Sequence, residues 1–161
     1  MKYPIGIQTF DKIILGDYVY VDKTDLIYRL VKNGNTYFLG RPRRFGKSLL
    51  VSTLESYFLG KKDLFKGLAI EKMETEWIQY PVFHIDLSTG NYLNDGALEE
   101  ILGGYLSAWE KQYNINNHFT DLGKRFQQVL HQAHIQTRQG AVVLIDEYDK
   151  PLLDVMGLPE T

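Results

Sequence analysis

Thr36-Tyr37-Phe38-Leu39-Gly40-Arg41-Pro42-Arg43-Arg44-Phe45-Gly46-Lys47-Ser48 is the stretch whose reading decides the fold. Thr36–Leu39 reads as a short buried strand, the residues from about Lys47 to Leu59 as a helix, and Gly40–Gly46 as the loop between them. Backbone N–H groups that converge on phosphate oxygens tolerate no side chain at the turn, which accounts for Gly46. Lys47 supplies a charge able to reach the β- and γ-phosphates. Ser48 offers a hydroxyl to magnesium, and the N-terminus of the following helix favours an anion. The general pattern is G-x-x-x-x-G-K-[ST]. The chain departs from it: Arg41 stands where that pattern has its first glycine, and Gly40 lies one position too early. Gly46-Lys47-Ser48 between a strand and a helix still points to nucleotide phosphates. The bland alternative is a basic strand–helix turn that binds nothing.

Arg41, Arg43, Arg44 and Lys47 concentrate positive charge in the loop. The arginines read either as extra charge for a triphosphate and its transition state or as a solvated basic loop. Pro42 stiffens it.

A second signal lies downstream in Ala141-Val142-Val143-Leu144-Ile145-Asp146-Glu147. Ala141–Ile145 is apolar throughout, as in a strand buried on both faces. Asp146 at its carboxyl end is placed to bind magnesium, directly or through water, and Glu147 to act as general base on an attacking water. Ligands bind at the carboxyl ends of parallel strands. Alone, the run could be a strand that exits through two solvated acids; with Gly46-Lys47-Ser48 upstream it predicts Mg-dependent ATP hydrolysis. A small-molecule kinase needs its carboxylate aimed at a substrate hydroxyl, and a GTPase needs guanine-reading residues such as Asn-Lys-x-Asp, which the sequence does not contain.

Outward from these two signals, the periodicity predicts helices over about Thr24–Lys32, Asp95–Tyr113 and Thr120–Arg138, with a short one near Glu74–Ile78. Thr24 or Asp25 reads as the first N-cap and Gly34 as a left-handed C-cap. Gly60 stops the helix after the loop. Pro81–Leu87 reads as a strand, Tyr18–Val21 has strand composition, and the rest of residues 3–22 reads as loop. Pro151 suits the first turn of a further helix. Strands separated by helices predict an α/β fold with a parallel sheet flanked by helices.

The composition of the 161 residues is that of a soluble globular chain of one domain, and the net charge of −2 gives no global pull toward nucleic acid or membrane. No cysteine is present, which excludes disulfides, thiolate metal sites and cysteine nucleophiles. The N-terminus has no apolar signal core, and no apolar run approaches about 18 residues, so a cytoplasmic location is expected.

Weaker candidates complete the reading. His84, Asp86 and Ser88 alternate along one strand face, with Asp86 and Ser88 near its carboxyl end, where they could meet magnesium, the attacking water or a partner. A hydrogen-bonded strand end explains them as well. His131 and His134 are spaced to share a metal but lack a third ligand. Trp109 and Tyr113 read as core. Tyr148 and Asp149 extend the acidic run.

Taken together, Ile5-Gly6-Ile7-Gln8 with Phe10, Tyr20-Val21-Asp22-Lys23-Thr24, Arg41–Leu49 and Ile145-Asp146-Glu147-Tyr148-Asp149-Lys150-Pro151 resemble the AAA-ATPase-like family of bacterial proteins over almost the whole chain. The resemblance implies a P-loop NTPase fold and makes Arg41 a family trait. It implies ATP contacts from Arg41, Arg43, Arg44, Phe45, Gly46, Lys47, Ser48 and Leu49. It further implies Mg2+ at Ser48 and Asp146, and catalytic roles for Glu147 and Lys47. Such proteins are commonly longer and end in a domain similar to PD-(D/E)xK nucleases, which would bring nucleic acid as a partner. The motif of that domain is not in this sequence, and no nuclease activity is expected of it.

In the implied fold a later strand inserts between the Asp-Glu strand and the loop strand. The chain is therefore expected to be the N-terminal part of one such domain, with no second domain and an incomplete sheet. A polar sensor residue and any C-terminal arginine finger would lie beyond Thr161. The expected function is ATP binding and hydrolysis by a piece of a longer protein. The rival is a non-hydrolysing, nucleotide-responsive module that contacts a protein partner or a missing C-terminal domain.

Overall fold

The computed structural model describes residues 2–40, 42, 45–116 and 119–157. They form an α/β structure with a small parallel sheet of two strands. The chain divides into two compact units, residues 1–79 and 80–161.

The first unit contains α1 (Phe10–Leu15), α2 (Thr24–Asn33), α3 (Lys47–Phe58) and two 3-10 turns, Lys62–Phe65 and Ala69–Lys72. Its core joins Phe10, Ile27, Tyr57, Leu64, Phe65 and Ile70, with the Phe10 and Phe65 rings 4.8 Å apart. Burying each such side chain stabilises the unit by about 1.5–3 kcal/mol. Helix α1 replaces the loop expected over residues 3–22. It is too short to display a period. Its place is set by Phe10 and Ile13, both buried, and by the Phe10 N–H, which donates to Ser52 Oγ of α3 at 2.9 Å.

Helix α2 begins where the sequence places it, but the donor is satisfied from outside. Lys23 occupies the N-cap without a side-chain bond. Asp22 Oδ1 accepts from Thr24 N–H at 2.9 Å and Thr24 Oγ1 at 2.7 Å, and Asp22 Oδ2 from Ala69 N–H at 2.7 Å. Thr24 Oγ1 in turn accepts from Ile70 N–H at 3.1 Å. Burial alone would raise the Asp22 pKa, but these donors hold it below the ordinary value.

Four further expectations fail in this unit. Thr36–Leu39 forms no strand, and Phe38 is 74% exposed. A strand needs a partner edge as well as β-prone residues, and the sheet consists of two other segments. Tyr18–Val21 contributes only a bridge from Tyr18 to Lys2. Gly34 is extended (φ −176°, ψ 173°), a conformation any residue adopts, so it is not a left-handed cap. The short helix near Glu74–Ile78 is also absent; the connection folds as the two 3-10 turns instead.

The second unit contains β1 (Val82–Asp86), α4 (Ala97–Gln112), α5 (Leu122–Thr137), β2 (Val142–Asp146) and α6 (Lys150–Met156). β1 and β2 pair in parallel from Val82↔Val142 to Asp86↔Asp146. Phe83, Ile85 and Leu87 are buried among Leu106, Trp109, Tyr113, Val129 and Ala133 of the α4–α5 pair, so Trp109 and Tyr113 are core, as expected. Arg125 of α5 grips Glu110 of α4 with two bonds of 2.8 Å. Asp121 caps α5 by accepting from Lys124 N–H at 2.8 Å, and Pro151 opens α6. β2 is not buried on both faces: Val143 is 39% and Ile145 50% exposed. Among the described residues β2 has β1 as its one strand neighbour, and the helix pair packs over the β1 side chains.

Candidate functional site

The candidate segment of the first unit is the start of α3. Gly46 is its N-cap at φ 75°, ψ 24°, a left-handed conformation with no side-chain cap and no acidic residue in the first turn. The Gly46 carbonyl accepts the Leu50 N–H at 3.0 Å, which closes the first helical turn. A Cβ at Gly46 would meet nothing within 4 Å. The helix N-terminus thus has no side-chain cap and no carboxylate in its first turn to offset its dipole. Lys47 and Ser48 follow directly and are half-buried. Phe45 is 64% exposed, whereas the Leu49 side chain packs against the Phe10 cluster. Arg41, Arg43 and Arg44 lie outside the described residues.

Three positions on from Leu49 and Leu50, at Ser52 and Thr53, α3 is anchored through polar residues. Ser52 Oγ donates to Leu49 O at 3.0 Å while accepting the Phe10 N–H, and Thr53 Oγ1 donates to Leu49 O at 2.7 Å. Phe10 therefore ties the first motif to α3, while Ile5 is 91% exposed, and the Tyr20–Thr24 motif fixes α2 to the second 3-10 turn. A buried carboxylate completes the frame. Glu74, 5% exposed, accepts from the Tyr57 hydroxyl, from Thr75 and Glu76 N–H at 3.0 Å and from Lys32 Nζ at 3.1 Å. Burial pushes its pKa up, but the Tyr57, Glu76 and Lys32 donors outweigh it and bring it down to about 2. The sequence offers no local signal for Glu74 or Ser52, because their partners are 17 and 42 residues away.

The candidate segment of the second unit is the carboxyl end of the parallel sheet. Asp146 is the last residue of β2 and 8% exposed. Its Oδ1 accepts the Glu147 N–H at 3.0 Å. Glu147, half-buried, is held at φ 53°, a left-handed conformation unusual for a side chain of this kind. Tyr148 is 46% exposed. Asp149 Oδ1 is buried without a hydrogen-bond partner. Beside them Asp86 ends β1, its Oδ1 accepting the Ser88 N–H at 2.8 Å. The Tyr105 hydroxyl covers the other edge of Asp86, accepting its N–H at 3.1 Å and donating to its carbonyl at 3.2 Å.

Magnesium fits this donor set. Asp146 is a buried carboxylate with no basic partner among the described residues, and the orphaned Asp149 oxygen lies close along the chain. Among the described residues no group of three or more His, Cys, Asp or Glu could hold a metal. Mg2+ rarely requires such a cage, since one or two carboxylates with water and substrate phosphates complete its octahedron. His131 and His134 are both exposed on α5, and His134 Nδ1 is bonded to the Gln139 carbonyl at 2.9 Å. No helix among the described residues is long and apolar enough to cross a membrane.

No solved structure matches the chain. A protein from Azotobacter chroococcum mcd 1, described as an uncharacterized protein in the vnfD 5′ region, is 42% identical over 160 residues, covering 99% of this chain and 31% of that protein. The chain thus spans about a third of the length of the curated relative it matches. The family model described as Predicted AAA-ATPase matches residues 4–161. That match takes in both the start of α3 and the end of β2, and the chain belongs to the AAA-ATPase-like family.

Proposed function

We propose that the chain carries the ATP-binding part of a Mg-dependent ATPase with a P-loop fold. The observation that carries this reading is the uncapped N-terminus of α3, opened by left-handed Gly46 and followed by Lys47 and Ser48, in a chain of a family whose description suggests ATPase-like function. In this reading the first-turn N–H groups and Lys47 bind the β- and γ-phosphates, with Arg41, Arg43 and Arg44 adding charge and Phe45 and Leu49 flanking the loop. Ser48 and Asp146 hold magnesium, which when bound neutralises charge on the phosphate oxygens. Glu147 orients and deprotonates water. Its backbone is turned by the left-handed φ and tied to the Asp146 side chain, so the carboxylate leaves a fixed point at the strand end.

The experiment is Mg-ATP binding by thermal shift on this chain, followed by turnover in the longer protein with Lys47→Ala and Glu147→Gln. Binding lost in Lys47→Ala and turnover lost in Glu147→Gln support the reading. No shift with millimolar Mg-ATP would overturn it, and binding without turnover in the longer protein would favour a nucleotide-responsive interaction module.

A further inference from the structure

Asn33-Gly34 joins the end of α2 to the segment that leads toward α3, and it is the one Asn-Gly pair in the sequence. Asn33 is the last residue of α2, and both residues are exposed. The chain leaves the helix abruptly at this point, with Gly34 extended at φ −176° and ψ 173°. In a continuing helix the Leu30 carbonyl would accept the Gly34 N–H. Instead it accepts the Tyr37 hydroxyl at 2.6 Å. Tyr37 lies against Gly34 so closely that a Cβ there would stand 2.6 Å from the hydroxyl oxygen. That approach requires glycine at 34, and the same glycine leaves its nitrogen unshielded by a side chain. The Gly34 N–H has no acceptor among the described residues. This nitrogen follows the Asn33 side-chain amide directly in the chain, at a helix end where local opening costs little free energy.

We propose that Asn33 is a site of spontaneous deamidation and backbone isomerisation. The Gly34 nitrogen loses its proton to solvent and attacks Asn33 Cγ. The bond from Cγ to the side-chain nitrogen breaks, ammonia leaves, and a succinimide ring closes. Water then opens the ring. Attack at the side-chain carbonyl gives aspartate; attack at the main-chain carbonyl gives isoaspartate, whose main chain runs through the Asn33 β-carbon. One water is consumed and one ammonia released, with no change of oxidation state. Either product places a carboxylate at the C-terminal end of α2, where the helix dipole disfavours an anion. Isoaspartate also adds a methylene to the stretch that the Tyr37–Leu30 bond closes, which loosens the segment leading to α3.

The test is incubation of the full chain in heavy-oxygen water at mildly alkaline pH, with peptide mapping by mass spectrometry. Enzymatic methylation by an isoaspartyl methyltransferase then reports the isoaspartyl fraction. Asn33 should take up heavy oxygen and become a methyl acceptor at a rate within a few-fold of a synthetic peptide of residues 30–37. Asn33→Gln should stay an amide over the same period. Amide hydrogen exchange over residues 34–40 should be faster in the isoaspartyl form, separated by ion exchange, than in Asn33→Asp. An Asn33 that remains an amide in the folded chain while the peptide converts would overturn the proposal, as would heavy oxygen and methyl acceptance that map only to other residues. Equal exchange in the two forms would overturn the effect on the segment.

Discussion

Gly46 and Glu147 are both left-handed residues at junctions that carry proposed chemistry, Gly46 opening α3 and Glu147 following β2, at φ 75° and φ 53°. They differ in what that conformation costs. Glycine adopts it without steric penalty, and the space where its Cβ would be is open. Glutamate pays about 1 kcal/mol or more in the same region. At Gly46 the side chain is absent so that backbone donors are reachable. At Glu147 the side chain is kept despite the strain, which points to the carboxylate as the reason the residue is there. One junction presents backbone, the other presents a side chain, and the same dihedral serves both.

The largest effect that sharpens this contrast is on turnover. Glu147→Gln in the longer protein should lower the ATP hydrolysis rate by about 10²–10⁴-fold, the range for removing a general base, with Mg-ATP affinity within a few-fold of the unaltered protein. Steady-state phosphate release and nucleotide binding check it together; an unchanged rate would remove the reason offered for the strain.

Next in size is the frame that holds the Gly46 junction. Glu74 has a folded pKa of about 2 against an ordinary 4.5, so its stabilisation is fully present above pH 4.5 and is lost as pH falls through about 2. Glu74→Gln should cost on the order of 2–3 kcal/mol at pH 7. Denaturation at stepped pH should show the gap between the two proteins closing from pH 4.5 downward. A gap independent of pH would mean that packing, not the carboxylate charge, carries the effect.

The two junctions can then be set against each other directly. Gly46→Ala should destabilise the chain by about 1 kcal/mol, because alanine resists a positive φ even where nothing obstructs it. Glu147→Gly should do the reverse, raising stability by about 0.4–1 kcal/mol while abolishing hydrolysis in the longer protein. Chemical denaturation measures both, and the same sign for the two substitutions would break the comparison.

How far the sequence could be read differs between the two units for a physical reason. The second unit was legible. Its helices show apolar periodicity over many residues, its strands are apolar runs bounded by turns, and α4, α5, β1 and β2 appear within about two residues of expectation. In the first unit the long-period helices α2 and α3 were equally legible, but the short pieces were not. Phe10–Leu15 is too short for a period, and Thr36–Leu39 has the composition of a strand without the pairing. The site residues followed the same division. Gly46, Lys47, Ser48, Asp146 and Glu147 are adjacent in sequence within each half and carry their chemistry in residue type, whereas Ser52, Glu74 and Tyr105 act through partners far along the chain.

The sequence by itself determined the family, the α/β class, the long helices and the identity of the residues at both junctions, because motif spacing and periodicity are local properties. Tertiary structure alone decided that Thr36–Leu39 stays outside the sheet, that Glu74 is buried and ionised, and that Asp86 faces the same way as Asp146 in register. Each of those depends on which distant segment supplies the hydrogen-bonding edge, the donor or the neighbouring strand, and no window of sequence contains both partners.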